Sequence, residues 1–263
     1  MIDPIYFVLY IVIGLFTGII SALFGIGGGI VFIPTLLFTL PALLPGSEII
    51  PLIAISTSLF AGSFASTSSF FNHFRIKNID FKAAALLAGG TVISAIFVPR
   101  ILITIPSDAI TGILALILSG VAIKMLLDKG DNSPVRKLNI YFITPMGILV
   151  GAISAAGGLG GGIFYLPILH YLFGFDIKKA VGTSIMTVSI TMITAAASYA
   201  TADCPESFAM QLGFIHFGVG LALGISAAVG AFIGIRYVDR FKSSKMKKYF
   251  AILIIIMVIK LMF

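Results

Sequence analysis

"GIISALFGIGGGIVFIPTLL" occupies residues 18–37, inside a segment apolar enough to enter a lipid bilayer, yet it carries five glycines and a proline. Those are the residues that sustain a helix least well. A close copy, "GAISAAGGLGGGIFYLPIL", follows at residues 151–169. A hydrophobic helix is broken at the same place twice, and the arrangement of the two breaks decides the fold.

Composition settles the environment. Of 263 residues, 59% are hydrophobic and only 10% are charged, with a mean hydropathy of +1.14. A soluble fold carries about 25% charged residues, so this chain reads as an all-α integral membrane protein. The net charge of +7 sits in short basic clusters between apolar runs, the pattern of cytoplasmic loops beside anionic lipid and not of a nucleic-acid-binding face. Tryptophan is absent, so Tyr and the 23 Phe must serve as interfacial aromatics. The single cysteine, Cys204, excludes an internal disulfide and argues against thiolate metal or redox chemistry. The first apolar run starts after Asp3 with no basic leader and no small-residue cleavage site, so it is expected to be retained.

One helical crossing needs about 20 apolar residues. Such runs fall at 5–24, 49–71, 79–99, 108–127, 138–157, 178–200, 212–235 and 246–263. Two shorter runs, 30–40 and 163–173, follow the glycine clusters; at 1.5 Å per residue each reaches about half the hydrocarbon thickness. They are expected to be half-helices.

The chain repeats itself. Residues 14–36 align without gaps on 147–169 with twelve identities, among them Gly14, Gly18, Ser21, Gly25, Gly27, Gly28, Gly29 and Pro34. Thr57 and Ser58 then fall on Thr183 and Ser184, and 79–127 lies on 215–263, keeping Arg100 with Arg236 and Lys124 with Lys260. The domain reading is a first repeat at 1–127, a linker at 128–139 and a second repeat at 140–263.

Charge sets the orientation. The 72–82 loop holds His73, Arg75, Lys77 and Lys82, whereas its counterpart 201–211 holds only Asp203 and Glu206. The 100–108 loop has one Arg and one Asp, whereas 236–248 holds six basic residues. By the positive-inside rule matching loops lie on opposite sides, so the repeats are inverted. The linker and the Lys178–Lys179 connection then share the cytoplasmic side, and 1–4 and 41–48 share the outer side. Each half becomes a glycine-broken re-entrant helical hairpin plus three transmembrane helices. The competing arrangement has eight plain crossings in parallel repeats.

Irregular backbone at membrane depth must be buried in protein or line a watery cavity. The half-helices restart at Ile30 and Ile163, presenting unpaired N–H groups and the positive end of a helix dipole. Two such ends brought together at the midplane suit a small oxyanion. The candidate binding residues are Gly27, Gly28, Gly29, Gly160, Gly161 and Gly162, with hydroxyls from Ser21, Ser154, Thr57, Ser58, Thr183 and Ser184. Close packing is the other reading of the glycines, and it is preferred for Gly14 and Gly18; each hydroxyl also has its own i−4 carbonyl as a partner. "AGSFASTSSF" (61–70) reads as helix packing or a polar wall. Arg100, Arg236, Lys124 and Lys260 end helices and snorkel, with a role in anion access for the two arginines left open. His170, His216 and Asp80 carry protons in one reading and are interfacial in the other. No cluster has metal-ligand spacing, and no nucleophile–base pair or nucleotide loop appears. No cofactor and no enzyme activity are expected.

The duplicated G…GxGGGxxxxP pattern, "AVGTSI" at 180–185 after "FGFDIKK", and "GIRYVDR" at 234–240 resemble the TauE/SafE family of sulfite exporter-like permeases. The likeness covers nearly the whole chain. It implies secondary transport, as an exporter, of small sulfur-containing anions such as sulfite or sulfonates across the cytoplasmic membrane. The partners implied are the anion and the bilayer, with a coupling proton and a homo-oligomer left open. The alternative function is a channel whose glycine hairpins form a carbonyl filter.

Overall fold

The computed structural model describes residues 4–25, 27–127, 139–234 and 236. The expected linker up to residue 138, the basic loop beyond Arg236, the run 246–263 with Lys260, and the Lys124 side chain lie outside the described residues.

The described chain is helical. In order come α1 (Pro4–Phe24), α2 (Gly29–Leu43), α3 (Ile50–Arg75), α4 (Phe81–Leu102), α5 (Ser107–Leu127), a single 3₁₀ turn leading into α6 (Ile143–Gly157), α7 (Gly162–Pro167), α8 (Ile177–Ala200) and α9 (Phe217–Gly234). Six of the helices are long and apolar enough to cross a membrane, and Gly29–Leu43 and Gly162–Leu172 are shorter apolar pieces. The protein is a multi-pass membrane protein.

Local chemistry explains the boundaries. The Asp80 carboxylate accepts from the Ala83 N–H at 2.9 Å and starts α4, and Asp176 accepts from the Lys178 N–H at 3.0 Å and starts α8. Pro51 stands in the first turn of α3, where its missing N–H is not needed. Beyond Pro167 the short α7 widens into a π turn over Ile168–Leu172.

The apolar run at 212–235 is not one helix. Its first residues form a two-stranded ladder, β1 (Gln211–Leu212) and β2 (Ile215–His216), and α9 starts only at Phe217. Gly213 turns the hairpin at φ 56°, with backbone of Tyr199 and Ala200 where a Cβ would sit.

Packing follows a palindrome. α1 lies on α9, α9 on α3, α3 on α8, α8 on α4, and α4 on α6. α3 and α8 run antiparallel, with Asn78 near Gly182 at one end and, at the other, the Phe214 carbonyl accepting from Ser56 while the Phe214 N–H donates to the Tyr199 carbonyl. The outermost contacts are close approaches at glycine. Gly14 faces Ser226, Gly18 faces Ala227, Gly147 faces Leu87 and Gly151 faces Thr91, the close approach that small residues permit in lipid.

Gly18 therefore has a packing role, as expected from its spacing. A Cβ there would overlap the Ala227 carbonyl and lie 2.8 Å from the Ala227 Cα. Neither atom can rotate away. Gly18→Ala should cost about 1–3 kcal/mol, read as a lowered unfolding midpoint of the purified protein in detergent.

Candidate functional site

Each break is built in the same way. α1 ends at Gly25 with φ 66°, its N–H donating to the Ser21 carbonyl at 2.9 Å; α6 ends at Gly158 with φ 65°, its N–H donating to the Ser154 carbonyl. These are left-handed glycine caps that satisfy the last turn. Gly27 and Gly28 follow at φ 80° and 91°, and Gly160 and Gly161 at 74° and 84°. The next helix then restarts on the Gly28 carbonyl in one half and on the Gly161 carbonyl in the other.

The two breaks touch. A Cβ on Gly29 would meet the Gly158 carbonyl, with the Leu159 Cα at 2.6 Å. The glycines thus divide their work: positive φ at six positions, and close approach of one broken segment to the other at Gly29.

The hydroxyls expected near the breaks are all fully buried, but they do different things. Ser58 donates to the Gly158 carbonyl at 2.8 Å, and Ser184 donates to the Gly25 carbonyl at 3.2 Å. Each serine therefore ties the opposite break to a central helix, and its only proton is spent. Thr57 accepts from the His216 N–H at 3.0 Å, and Thr183 accepts from the Asp80 N–H at 3.0 Å. A hydroxyl that accepts one bond still has a proton to give, and no acceptor claims either proton among the described residues. The side-chain hydroxyls of Ser21, Ser154 and Thr17 have no hydrogen-bond partner among the described residues. The Ser154 Oγ is 3.1 Å from where a Gly161 Cβ would be, and the Thr17 methyl is equally near Gly28.

A residue that sequence reasoning passed over sits between the tips. Met192 on α8 is fully buried. Its Cε is 2.9 Å from where a Gly27 Cβ would lie, its Sδ is 3.1 Å from that of Gly160, and its Sδ is 2.6 Å from that of Gly62. Ser66 donates to the Met192 Sδ at 3.8 Å. In the repeat alignment Ser66 is the counterpart of Met192, so a thioether replaces a hydroxyl on one side of the centre. That mismatch was the available signal.

The titratable residues make local hydrogen bonds at helix ends and connections. His216 precedes α9 as Asp80 precedes α4, and its Nδ1 accepts the Val219 N–H at a long 3.5 Å. His170 lies in the π turn with Nδ1 2.8 Å from the Phe175 carbonyl. Arg100 donates to the Thr201 Oγ1 at 2.6 Å, fastening α4 to the end of α8. Cys204 lies in the connection after α8, where burial pushes its thiol above the ordinary range and keeps it protonated at neutral pH.

Known proteins resemble this chain in sequence over almost its full length. A probable membrane transporter protein of Haemophilus influenzae is 27% identical, over 97% of this chain and 98% of its own. One of Methanocaldococcus jannaschii is 29% identical over 87% and 85%, and one of Bacillus subtilis is 27% identical over 87% of each. No solved structure matches significantly. The family described as Sulfite exporter TauE/SafE matches residues 10–261, and the chain belongs to that family.

Proposed function

We propose that the protein is a secondary transporter of the cell membrane that exports small sulfur-containing anions, such as sulfite or sulfonates. The anion is held at the midplane by the N-terminal ends of α2 and α7. The observation that carries this reading is the contact between the two glycine breaks, Gly29 against Gly158 and Leu159, with the unpartnered Ser154 hydroxyl beside Gly161. Helix starts offer unpaired N–H groups and a partial positive charge, and buried donors without acceptors are costly unless a ligand completes them.

In this reading Gly27, Gly28, Gly29, Gly160, Gly161 and Gly162 bring the backbone against the anion. Ser21, Ser154, Thr57 and Thr183 donate to it. Ser58 and Ser184 hold the breaks in register without touching it. Residues 1–127 and 140–263 act as two inverted repeats, each a re-entrant hairpin plus three transmembrane helices. The palindromic helix row supports that arrangement, as do the paired bonds Ser58–Gly158 with Ser184–Gly25 and Thr57–His216 with Thr183–Asp80. Transport follows from rocking one repeat against the other around a fixed site.

Export needs no second ion. At 100 mV a monoanion leaving a negative interior gains about 2.3 kcal/mol, enough for a gradient of roughly fifty-fold. The purified protein in liposomes should give saturable sulfite flux with counterflow, and a pH gradient should leave its direction set by the membrane potential. Linear flux without counterflow would mean a channel, and no flux of sulfite, sulfoacetate or thiosulfate would remove the substrate class.

A further inference from the structure

A groove on the side of the helix row has a different use. A cavity of about 560 Å³ lies between α3, α8 and α9, walled by Phe64 and Phe71 of α3, Ile193 of α8 and Phe232 of α9. Phe71, Ile193 and Phe232 are about half exposed, so it opens sideways towards lipid. From Phe64 to Arg75, α3 rises about 16 Å, close to the hydrocarbon depth of one leaflet at half of about 30 Å. The wall is mainly apolar along that length, with the hydroxyls of Ser63, Thr67 and Ser68 among its lining, and cationic at its end. Arg75 lines the mouth, and the Arg236 guanidinium stacks on the Phe232 ring at 5.1 Å.

Inside the mouth is an unfilled hydrogen-bonding group. Asn72 lines the cavity, is 7% exposed, and its Nδ2 has no partner among the described residues. A buried amide donor without an acceptor costs free energy unless a ligand completes it.

The counterpart positions at the opposite end of the fold are closed. In the repeat alignment Asn72 corresponds to Ser198, Phe232 to Ile96, Arg75 to Thr201 and Arg236 to Arg100. There Ser198 donates to the Ile96 carbonyl at 2.9 Å and Arg100 donates to the Thr201 Oγ1 at 2.6 Å. Where one end has an arginine fastened to a threonine, the other has Arg75 at the mouth and Arg236 stacked on the wall residue Phe232, two like charges that one anion can neutralise together.

We propose that this groove binds one anionic phospholipid from the leaflet on the basic side of the protein. Its phosphate sits between Arg75 and Arg236, the Asn72 amide donates to it, and an acyl chain lies along Phe64, Phe71, Ile193 and Phe232. Basic pockets between membrane helices on the cytoplasmic side take lipid headgroups in this way, and the length and apolarity of the walls call for a tail as well as a head. The site is separate from the glycine breaks and does not depend on the transported anion.

The test uses the full-length protein in detergent. Phosphatidylglycerol should raise the unfolding midpoint by about 5 °C, phosphatidylcholine and inorganic phosphate should leave it unmoved, and native mass spectrometry should find one phosphatidylglycerol retained per chain. The double variant Arg75→Gln/Arg236→Gln, and separately Asn72→Leu, should lose the shift and the retained lipid, whereas Lys178→Gln should keep both. An equal shift with phosphatidylcholine would overturn the charge assignment. A shift with phosphate alone would make the groove a free-anion site, and a shift surviving in the double variant would place the lipid elsewhere; either result overturns the proposal.

Discussion

Gly28→Leu and Gly161→Leu should each reduce anion flux in liposomes to background while the protein still inserts and purifies. Gly28 stands at φ 91° and Gly161 at φ 84°, a region that costs an L-residue about 1–2 kcal/mol. Space is lacking too. A Cβ would lie 2.7 Å from the Phe32 Cε2 at the first position and 2.6 Å from the Tyr165 Cε2 at the second, and both rings are fully buried. Displacing them adds about 1–3 kcal/mol, so the total is roughly 2–5 kcal/mol. Insertion is spared because leucine raises the hydropathy of the segment. Transport is not, because the half-helix start is what the residue displaces. A control separates geometry from bulk: Gly46→Ala, also at positive φ but with nothing within 4 Å of its Cβ, should transport normally. Flux at the wild-type rate in both leucine variants would mean that the breaks do not hold the anion.

The breaks were legible because glycine leaves few alternatives. Gly25, Gly27 and Gly28 cannot be read as a helix interior, and their recurrence at Gly158, Gly160 and Gly161 marked both ends of the fold from one dimension of information. The cap at Asp80 was not legible: the residue falls inside the expected run 79–99, where it reads as a proton carrier or an interfacial group, and only the folded chain shows its carboxylate accepting the Ala83 N–H. Nor was the hairpin at Gln211–His216. Phe214 and Ile215 are as apolar as a crossing helix, and only the tertiary contact of Gly213 with Tyr199 and Ala200 makes a turn of them. The division among the hydroxyls was also hidden. Ser58 and Thr57 are adjacent and equally polar, yet one faces the Gly158 carbonyl and the other the His216 N–H, a difference of about 100° around one helix. The groove brings Arg75 and Phe232 to one cavity from distant parts of the chain, and no periodicity reports such a meeting.

Met192→Ala should behave as a loss of stability that anion can restore. Met192 is the side chain that fills the space at Gly27, Gly62 and Gly160, and removing a buried methionine costs about 2–5 kcal/mol when the gap stays empty. An ordinary core position would show that loss under all conditions. A position inside a binding site differs, because the space vacated is bordered by the glycine tips of both breaks, and a ligand that binds only the folded state at a hundred times its Kd returns about 2.7 kcal/mol. Sulfite should therefore raise the unfolding midpoint of Met192→Ala by several degrees more than that of the wild-type protein, and Met192→Ala should keep transport while Met192→Ile loses it. The asymmetry has a physical basis. Methionine has three rotatable bonds and a polarizable end that can swing out of the gap, whereas isoleucine is branched at Cβ and stiff, so it keeps its bulk where the anion must pass. A midpoint in Met192→Ala that ignores sulfite, together with normal flux in Met192→Ile, would make Met192 a packing residue and remove the space between the tips from the transport path.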